Sequence, residues 1–537
     1  QSLRALALPA LILMDLERNG RSALIFLPIL VALGLLQALS FAPWHSDILQ
    51  IGTLSLALWA LRRRFARGRA GFSAFALFHL ATLIAGLSWL HISMTRYGGM
   101  PQALSGLALI AFCTYLASFG ALAYLLSLLA ERHQLIRGPV DRGLLLGALW
   151  ALAEILRGWV FTGFPWLSLG YAHTDGILRH WAPWAGVYAV SAWAMCLASW
   201  LADLPGCLRS ARGPRAALTP VVAVVAVLLV TQLIDVRWSR TLGPPIRSLL
   251  LQPNVDQGQK FLPERLERQH DRIIAMLGRS QSQLVVTPET AWIMPWALTP
   301  PATRQRLLEA LERHGGVLAL GVPLGREVET GAVLPILSNS AILLQASGAV
   351  LGRYDKQHLV PFGEFVPWGF RWFVDLMHIP LGDFERGPRP APVFTVAGHG
   401  VALNVCYEDL FPDEIAAQVR QGAGLIVNMS NLGWFGDSHA LAQHLQIGRM
   451  RSLELQRPTL RATNTGATAA IDAQGRVSAY LPHLTEEVLQ AEVHPTQGLT
   501  PYARWDHRAS LALLGAMVLL ALLWARRTPR LAPAQGA

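Results

Sequence analysis

Three side chains in the second half of this sequence have the types and positions that covalent acyl chemistry requires. They are Glu289 in L-V-V-T-P-E-T, Lys356 in G-R-Y-D-K-Q-H and Cys406 in V-A-L-N-V-C-Y-E. Each reads as a strand-end position, where a side chain is presented at the edge of a sheet. A thiol becomes a nucleophile when a base takes its proton, and an acyl-transfer intermediate needs positive charge or N–H donors near its oxyanion. A carboxylate, an ammonium and a thiol supply those roles. Singly, each residue also has a plainer reading. A lone cysteine after an apolar strand is more often a small buried hydrophobe, a glutamate there is usually a solvated turn residue, and a lysine a solvated charge. Composition sharpens the lysine. Lys260 and Lys356 are the only two lysines of the chain, while arginine is used everywhere else. A position that keeps lysine against that bias needs a compact, titratable ammonium that a guanidinium cannot replace.

The elements that must position these residues lie between about Pro244 and Tyr502. Short β-branched runs at Ser248–Gln252, Leu284–Thr287, Val317–Gly321, Ser340–Gln345, Val401–Val405 and Leu425–Met429 alternate with helical stretches at Pro263–Leu277, Arg304–Arg313 and His439–Leu455. That alternation predicts a layered α/β domain. Pro244-Pro245 and Pro501 punctuate its two junctions.

The rest of the chain has a different character. Of 537 residues 53% are hydrophobic and 15% charged, with a mean hydropathy of +0.36, which is the composition of a protein with several membrane spans. Apolar runs near Ser22–Phe41, Ile48–Leu61, Phe72–Ser93, Ala103–Ala130, Leu144–Phe161, Trp181–Leu201, Ala216–Ile234 and Ser510–Trp524 predict eight spans, the second being short. The net charge of +11 comes from arginines clustered between these runs, a membrane pattern that argues against nucleic-acid binding. Arginine-rich loops precede the first span and follow the second, fourth, sixth and eighth. This alternation places both termini in the cytoplasm and the α/β segment outside it. No cleavable signal pattern stands at Gln1, and the first long apolar run reads as retained. The four cysteines, Cys113, Cys196, Cys207 and Cys406, have no metal-type spacing. The expected division is 1–240 for transmembrane helices 1–7, 244–502 for the α/β domain, 508–526 for helix 8 and 527–537 for a cytoplasmic tail.

With these residues in order, the α/β segment resembles the nitrilase (carbon–nitrogen hydrolase) superfamily. The whole chain resembles the bacterial apolipoprotein N-acyltransferase family within it. The resemblance rests on G-G-M-P (Gly98–Pro101), Glu154–Leu167, P-E-T-A-W (Pro288–Trp292), K-Q-H-L-V-P-F-G-E-F-V-P (Lys356–Pro367), C-Y-E (Cys406–Glu408), G-W-F-G (Gly433–Gly436) and G-L-T-P-Y-A-R (Gly498–Arg504). It implies a multi-span α-helical membrane domain carrying an extracytoplasmic αββα sandwich in the bacterial inner membrane. It also implies a Glu289 general base, a Lys356 that stabilises the oxyanion, and a Cys406 that forms a thioester. Glu364 would support the lysine and the substrate amine. Asn339, Tyr407 and Glu408 would shape the pocket, with the backbone N–H after Cys406 as an oxyanion donor. Phe261 stands where many relatives carry tryptophan and would gate the site, and Trp434 would help to form the substrate pocket. Asn431-Leu432-Gly433 replaces the N-D-A of relatives, so an acidic residue there is not needed for the chemistry or its role has moved.

The implied reaction moves an acyl chain from phospholipid, with phosphatidylethanolamine favoured, to the amine of diacylglyceryl apolipoproteins. It uses no cofactor or metal and proceeds in a monomer. Phe362, Phe365, Trp368 and Trp372 crowd one loop with Val366, Phe370 and Phe373, either as a minicore or as an arm admitting lipid from the outer leaflet. Glu154 and Arg157 read equally as an ion pair or a headgroup contact. Trp159 and Trp166 are expected at the membrane opening. Without the resemblance, two alternatives stand: a membrane-tethered amidase of nitrilase type, and a transporter or structural protein with an inactive sensor-like domain.

Overall fold

The structure is a computed structural model that describes residues 21–65, 68–209, 214–278, 281–327, 333–369, 371 and 384–527. It divides into two compact units. The first takes in the described residues of Gln1–His91, Gln102–Val236 and His507–Ala537, and the second those of Ile92–Pro101 and Arg237–Asp506. The short segment Ile92–Pro101, which carries the G-G-M-P motif, thus belongs with the α/β unit although it lies between two helices of the first.

The first unit is helical. Its long helices are α1 (Arg21–Ala38), α2 (Asp47–Arg64), α3 (Gly68–Leu87), α4 (Gln102–Arg132), α5 (Pro139–Arg157), α6 (Ala182–Leu208), α7 (Pro214–Leu233) and, at the far end of the sequence, His507–Arg527. They fall on the eight apolar runs. Four stretches among the described residues, namely Gly68–Leu87, Gln102–Arg132, Ile177–Leu208 and His507–Arg527, are both long and apolar enough to cross a membrane. Helix α2 ends on three arginines, and α5 carries Asp141, Arg142, Glu154 and Arg157. Their uninterrupted apolar length is correspondingly shorter.

Helices α5 and α6 approach closely because α5 offers glycines. A Cβ on Gly143 would sit 2.1 Å from Trp200 Nε1, and one on Gly147 2.4 Å from Cys196 Sγ. Charged residues cross-link the helix ends. Asp203 of α6 pairs with Arg62 of α2 at 2.9 Å and with Arg142 of α5 at 2.8 Å, and Arg142 also pairs with Glu131 of α4.

Glu154 and Arg157 are both buried. Glu154 accepts from Trp150 Nε1 (2.8 Å) and Leu169 N (2.9 Å), and Arg157 donates to Trp166 O and Ser168 Oγ (both 3.1 Å). The pair therefore anchors the turn at 165–169. Trp166, expected at an opening, is instead buried, its ring tilted on Trp89 with centroids 4.9 Å apart. Trp159 is exposed.

The second unit contains two six-stranded sheets. Its strands are β1 (Ile246–Gln252), β2 (Leu284–Val286), β3 (Val317–Glu327), β4 (Val333–Leu344), β5 (Val350–Asp355), β6 (Val393–Val396), β7 (His399–Val405), β8 (Leu425–Ser430), β9 (Thr459–Thr463), β10 (Ala469–Ile471), β11 (Val477–Tyr480) and β12 (Glu487–Val493). One sheet runs β12-β1-β2-β3-β4-β5 and the other β11-β10-β9-β8-β7-β6. In each, the central neighbours are parallel: β1, β2 and β3 in one, β7, β8 and β9 in the other.

Alternation of side chains sorts the residues into layers. Leu250, Leu284, Val286 and Ala319 pack against Val401, Leu403, Val405, Val427 and Leu460 between the sheets. Leu249, Leu251, Val285 and Leu318 face the opposite way, onto helices Leu266–Leu277 and Pro301–His314. Ala402 and Ile426 likewise pack outward onto helix Pro412–Arg420. The result is a four-layer αββα sandwich, the class expected from the sequence.

One glycine fixes how the Glu289 turn seats on its sheet. Gly321 N donates to Thr287 Oγ1 (2.9 Å), and a Cβ at Gly321 would lie 2.2 Å from Pro288 O. Gly321→Ala is expected to displace the Pro288-Glu289 turn and to destabilise the unit by about 1–3 kcal/mol. A lowered thermal midpoint in detergent, alongside reduced acyl transfer, checks this.

Candidate active site

The three candidate side chains Glu289, Lys356 and Cys406 stand just beyond the C-terminal ends of strands from both sheets. Glu289 lies three residues beyond β2, with Thr290 next to it at φ +49°. Lys356 directly follows β5. Its backbone N donates to Asn339 O of β4, and its carbonyl accepts from Gly387 N, both at 2.9 Å. Cys406 directly follows β7 and has φ +53°, a left-handed backbone conformation unusual for a side chain with Cβ. It opens a tight turn, Cys406–Leu410, that runs into helix Pro412–Arg420. Cys406 as a residue is only partly buried.

Around Lys356 the charges form one connected cluster. Its Nζ, completely buried, lies 3.2 Å from Glu289 Oε1 and 3.0 Å from Glu364 Oε1. Asn339 Nδ2 donates to the same two oxygens, at 2.6 Å each. The second oxygen of each carboxylate is also occupied. Asn431 N donates to Glu289 Oε2 (2.9 Å) and Val360 N to Glu364 Oε2 (2.8 Å). Because Asn431 follows β8, this bond joins the two sheets at the site. Asn464 and Gln257 hold its side chain at 3.1 and 2.8 Å. The other lysine, Lys260, is buried too and donates from Nζ to Glu289 O at 3.3 Å.

Glu408 is turned away from this cluster and braces it. Its carboxylate accepts from Gln357 N (2.6 Å), His358 N (3.1 Å), Val405 N (2.6 Å) and the Tyr354 hydroxyl (2.6 Å). One buried side chain thus pins the loop after Lys356 to the strand before Cys406.

Residues 241–501 match the carbon-nitrogen hydrolase family, and residues 33–200 match the apolipoprotein N-acyltransferase N-terminal domain. An apolipoprotein N-acyltransferase of Ralstonia nicotianae is 42% identical, covering 93% of this chain and 93% of its own length. One of Bordetella bronchiseptica is 40% identical, covering 93% of this chain and 97% of its own. This chain belongs to the apolipoprotein N-acyltransferase family. Among solved structures, an amidase from Nesterenkonia sp. aligns at 20% identity with a TM-score of 0.35, covering 51% of this chain and 97% of that one.

The family's members are acyltransferases, and the electrostatics of the cluster suit acyl transfer by a cysteine. Burial alone would lower the Lys356 ammonium, but Glu289 and Glu364 raise it well above the ordinary lysine value. Burial would raise Glu289, yet Lys356, Asn339 and Lys260 outweigh it and hold the carboxyl below its ordinary 4.5. Burial lowers Lys260 to about 8, with Glu289 and Cys406 opposing the shift. Burial, then the Glu289 charge, push the Cys406 thiol up, while Lys356 and the Asn431 N–H pull it down. At neutral pH the resting site is therefore an ionised Glu289 beside a neutral thiol.

The remaining sequence-derived residues lie around this cluster in several ways. Tyr407 is buried edge-on to Phe411, ring centroids 5.3 Å apart. Phe261 is 53% exposed, and Lys260 Nζ approaches its ring at 6.0 Å from the centroid. Trp434 is partly exposed and meets the Tyr97 ring edge-to-face at 5.5 Å, which ties Ile92–Pro101 to the Gly433–Gly436 loop. Glu364 sits in a tight turn in which Phe362 N donates to Phe365 O (2.9 Å). Phe362 points outward, and Arg386 lies over the Phe365 ring at 4.8 Å. Trp368 is 92% exposed among the described residues. Trp372, with Phe370 and Phe373, lies outside the described residues. Reading the sequence missed Asn431. Its signals were its place directly after a parallel strand and at the head of the Asn431–Gly436 stretch, to which no role was assigned.

Glu289→Gln gives opposite expected effects on two reactions of the same thiol. Acyl transfer should collapse, because the base is lost. Alkylation of Cys406 by iodoacetamide at pH 8 should accelerate, because removing a negative charge lowers the thiol pKa and raises the thiolate fraction. Peptide mass analysis of the Cys406 segment over a pH series checks both.

Proposed function

We propose that this chain transfers a fatty acyl chain from a membrane phospholipid, through a thioester on Cys406, to the α-amine of the N-terminal diacylglyceryl-cysteine of lipoproteins. The observation that carries this reading is the buried Glu289–Lys356–Glu364 cluster beside a strand-end thiol, in a chain whose helical part also matches the N-acyltransferase family.

In the first step Glu289 takes the Cys406 proton as sulfur attacks the ester carbonyl. The Lys356 ammonium and the Tyr407 N–H stabilise the oxyanion. As the C–O bond breaks, the proton passes from Glu289 to the departing lysophospholipid oxygen. In the second step the lipoprotein amine attacks the thioester, Glu289 receives the amine proton, and Cys406 leaves as the restored thiol. Glu364 holds Lys356 in place through both steps. Phosphatidylethanolamine is the proposed donor and a monomer the proposed working unit.

Phe362, Phe365, Trp368 and Trp372 are assigned to an arm that admits lipid and excludes water from the thioester. Phe261 and Trp434 are assigned to an aromatic gate. The arginine-rich ends at Arg62–Arg64, Arg132–Arg142 and Arg526–Arg527 support cytoplasmic placement of those loops by the positive-inside rule. The α/β unit then lies on the extracytoplasmic side of the inner membrane.

Intact-mass analysis of the purified chain with phospholipid should show one fatty-acyl adduct on wild type and none on Cys406→Ala. Lys356→Met should slow its formation by about two to three orders of magnitude, the cost of losing an oxyanion partner. An adduct persisting on Cys406→Ala would move the nucleophile elsewhere. For sidedness, an impermeant maleimide applied to intact spheroplasts should label a cysteine placed at Glu487, which is exposed. It should label one at Gln134, also exposed, only after permeabilisation.

A further inference from the structure

The carbonyl of the nucleophile is held by a closed ring of buried side chains that the acyl-transfer chemistry does not itself use. His444, on helix Ala440–Leu455, has Nε2 3.1 Å from Cys406 O. Arg461 of β9 places Nη2 2.5 Å from His444 Nδ1, and its Nη1 pairs with Asp409. Asp409 belongs to the same Cys406–Leu410 turn as the nucleophile, so the ring begins and ends on that turn. All three side chains are buried, Arg461 and Asp409 completely.

The chemistry of the donors removes any ambiguity in the histidine. A guanidinium cannot accept a hydrogen bond, so Nδ1 must accept and Nε2 must carry the hydrogen that reaches Cys406 O. Burial, then the Arg461 charge, keep the imidazole neutral, well below its usual range. Arg461 reaches between helix and strand through a notch at Gly448, where a Cβ would lie 2.3 Å from Nη1.

Peptide planarity turns this bond into a statement about the site. In a trans peptide the C=O and the following N–H point in opposite directions. Holding the Cys406 carbonyl on His444 therefore fixes the Tyr407 N–H on the opposite side, and it helps to hold the left-handed φ of +53° at Cys406. We propose that His444, oriented by Arg461 and Asp409, is a positioning residue that aims the Tyr407 N–H at the oxyanion of both acyl-transfer steps. The inference rests on Cys406 being the acylated nucleophile.

The test uses the full chain in detergent micelles with phospholipid. Glutamine places an amide N–H near the position of Nε2, whereas asparagine offers only an acceptor near Nδ1. Single-turnover acylation of Cys406 in His444→Asn should fall about 10²-fold, at the lower end of the effect of losing an oxyanion donor. The half-saturating phospholipid concentration and the iodoacetamide alkylation rate of Cys406 should not change, since alkylation passes through no oxyanion. His444→Gln should recover most of the acylation rate. Wild-type acylation in His444→Asn overturns the proposal. So does an equal loss in both variants, or alkylation falling in step with acylation, which would mean that the turn itself has collapsed. A wild-type chain that forms no acyl adduct removes the underlying reading of Cys406, and that result is visible before any variant is made.

Discussion

The arrangement of the α/β unit depends on keeping one ammonium, that of Lys356, out of water between two carboxylates. Moving such an ion into a low-dielectric interior carries an idealised cost of about 20 kcal/mol, which only close and well-satisfied partners offset. Glu289 and Glu364 are those partners, at 3.2 and 3.0 Å. Two carboxylates around one ammonium would leave a net negative charge, and the second lysine corrects this. Lys260, buried against the Glu289 backbone, brings the group to two positive and two negative charges. Asn339 then separates the two oxygens that would otherwise repel each other. Each member fixes the charge state of the others, so single substitutions here will not add.

That balance also sets the reactivity of the thiol. An ionised Glu289 near Cys406 disfavours the thiolate, so sulfur is not a standing nucleophile. In the proposed mechanism, proton transfer to Glu289 becomes favourable as negative charge moves from sulfur onto the carbonyl oxygen, where Lys356 can meet it. Geometry has to hold for this to work, and the backbone is held in uncommon conformations at both ends of the proton path: φ +49° at Thr290 and +53° at Cys406. Such conformations persist only when their surroundings over-determine them. The Thr287–Gly321 contact does so at the first position, and the Glu408 and His444 braces at the second.

Much of this was legible in the sequence because the signals were local. The strands ending before Glu289 and Cys406 have β-branched runs, and the two lysines stand out against an arginine-only background. Both lysines are buried and touch Glu289, although the sequence assigned a role to Lys356 alone. Alternation gave a layered α/β domain, and the αββα order of its layers came from the resemblance to the nitrilase superfamily. What stayed hidden is long-range. Asn431 lies 142 positions from Glu289, and no residue pattern announces that its backbone N–H is the contact between sheets. Glu408 adjoins the nucleophile in sequence yet faces away from the pocket, because a left-handed Cys406 turns the next residues back into the protein. His444 and Arg461 look like ordinary polar residues of a helix and a strand until the fold closes them on Cys406 O. The eight apolar runs were equally plain as helices. Four of the helices are long and apolar enough to cross a membrane among the described residues, while in α5 the charges of Arg142 and Glu154 serve helix packing and turn anchoring.

A neutral resting thiol suits the compartment proposed for this site. Extracytoplasmic cysteines face oxidants, and oxidation proceeds through the thiolate. A nucleophile with a depressed pKa would be permanently reactive toward them. Cys406 is instead pushed up by burial and by Glu289, and in the proposed mechanism its thiolate character develops only when an ester carbonyl is in position to receive the electrons. The same logic extends to the intermediate. A thioester is vulnerable to water, and Glu289 could activate water as readily as an amine, so base strength cannot provide the selectivity. Exclusion has to provide it, which is the physical role proposed for the exposed rings of Phe261, Phe362, Trp368 and Trp434. Those rings contribute nothing to the proton path. In the function proposed above, they decide which acceptor reaches the end of it.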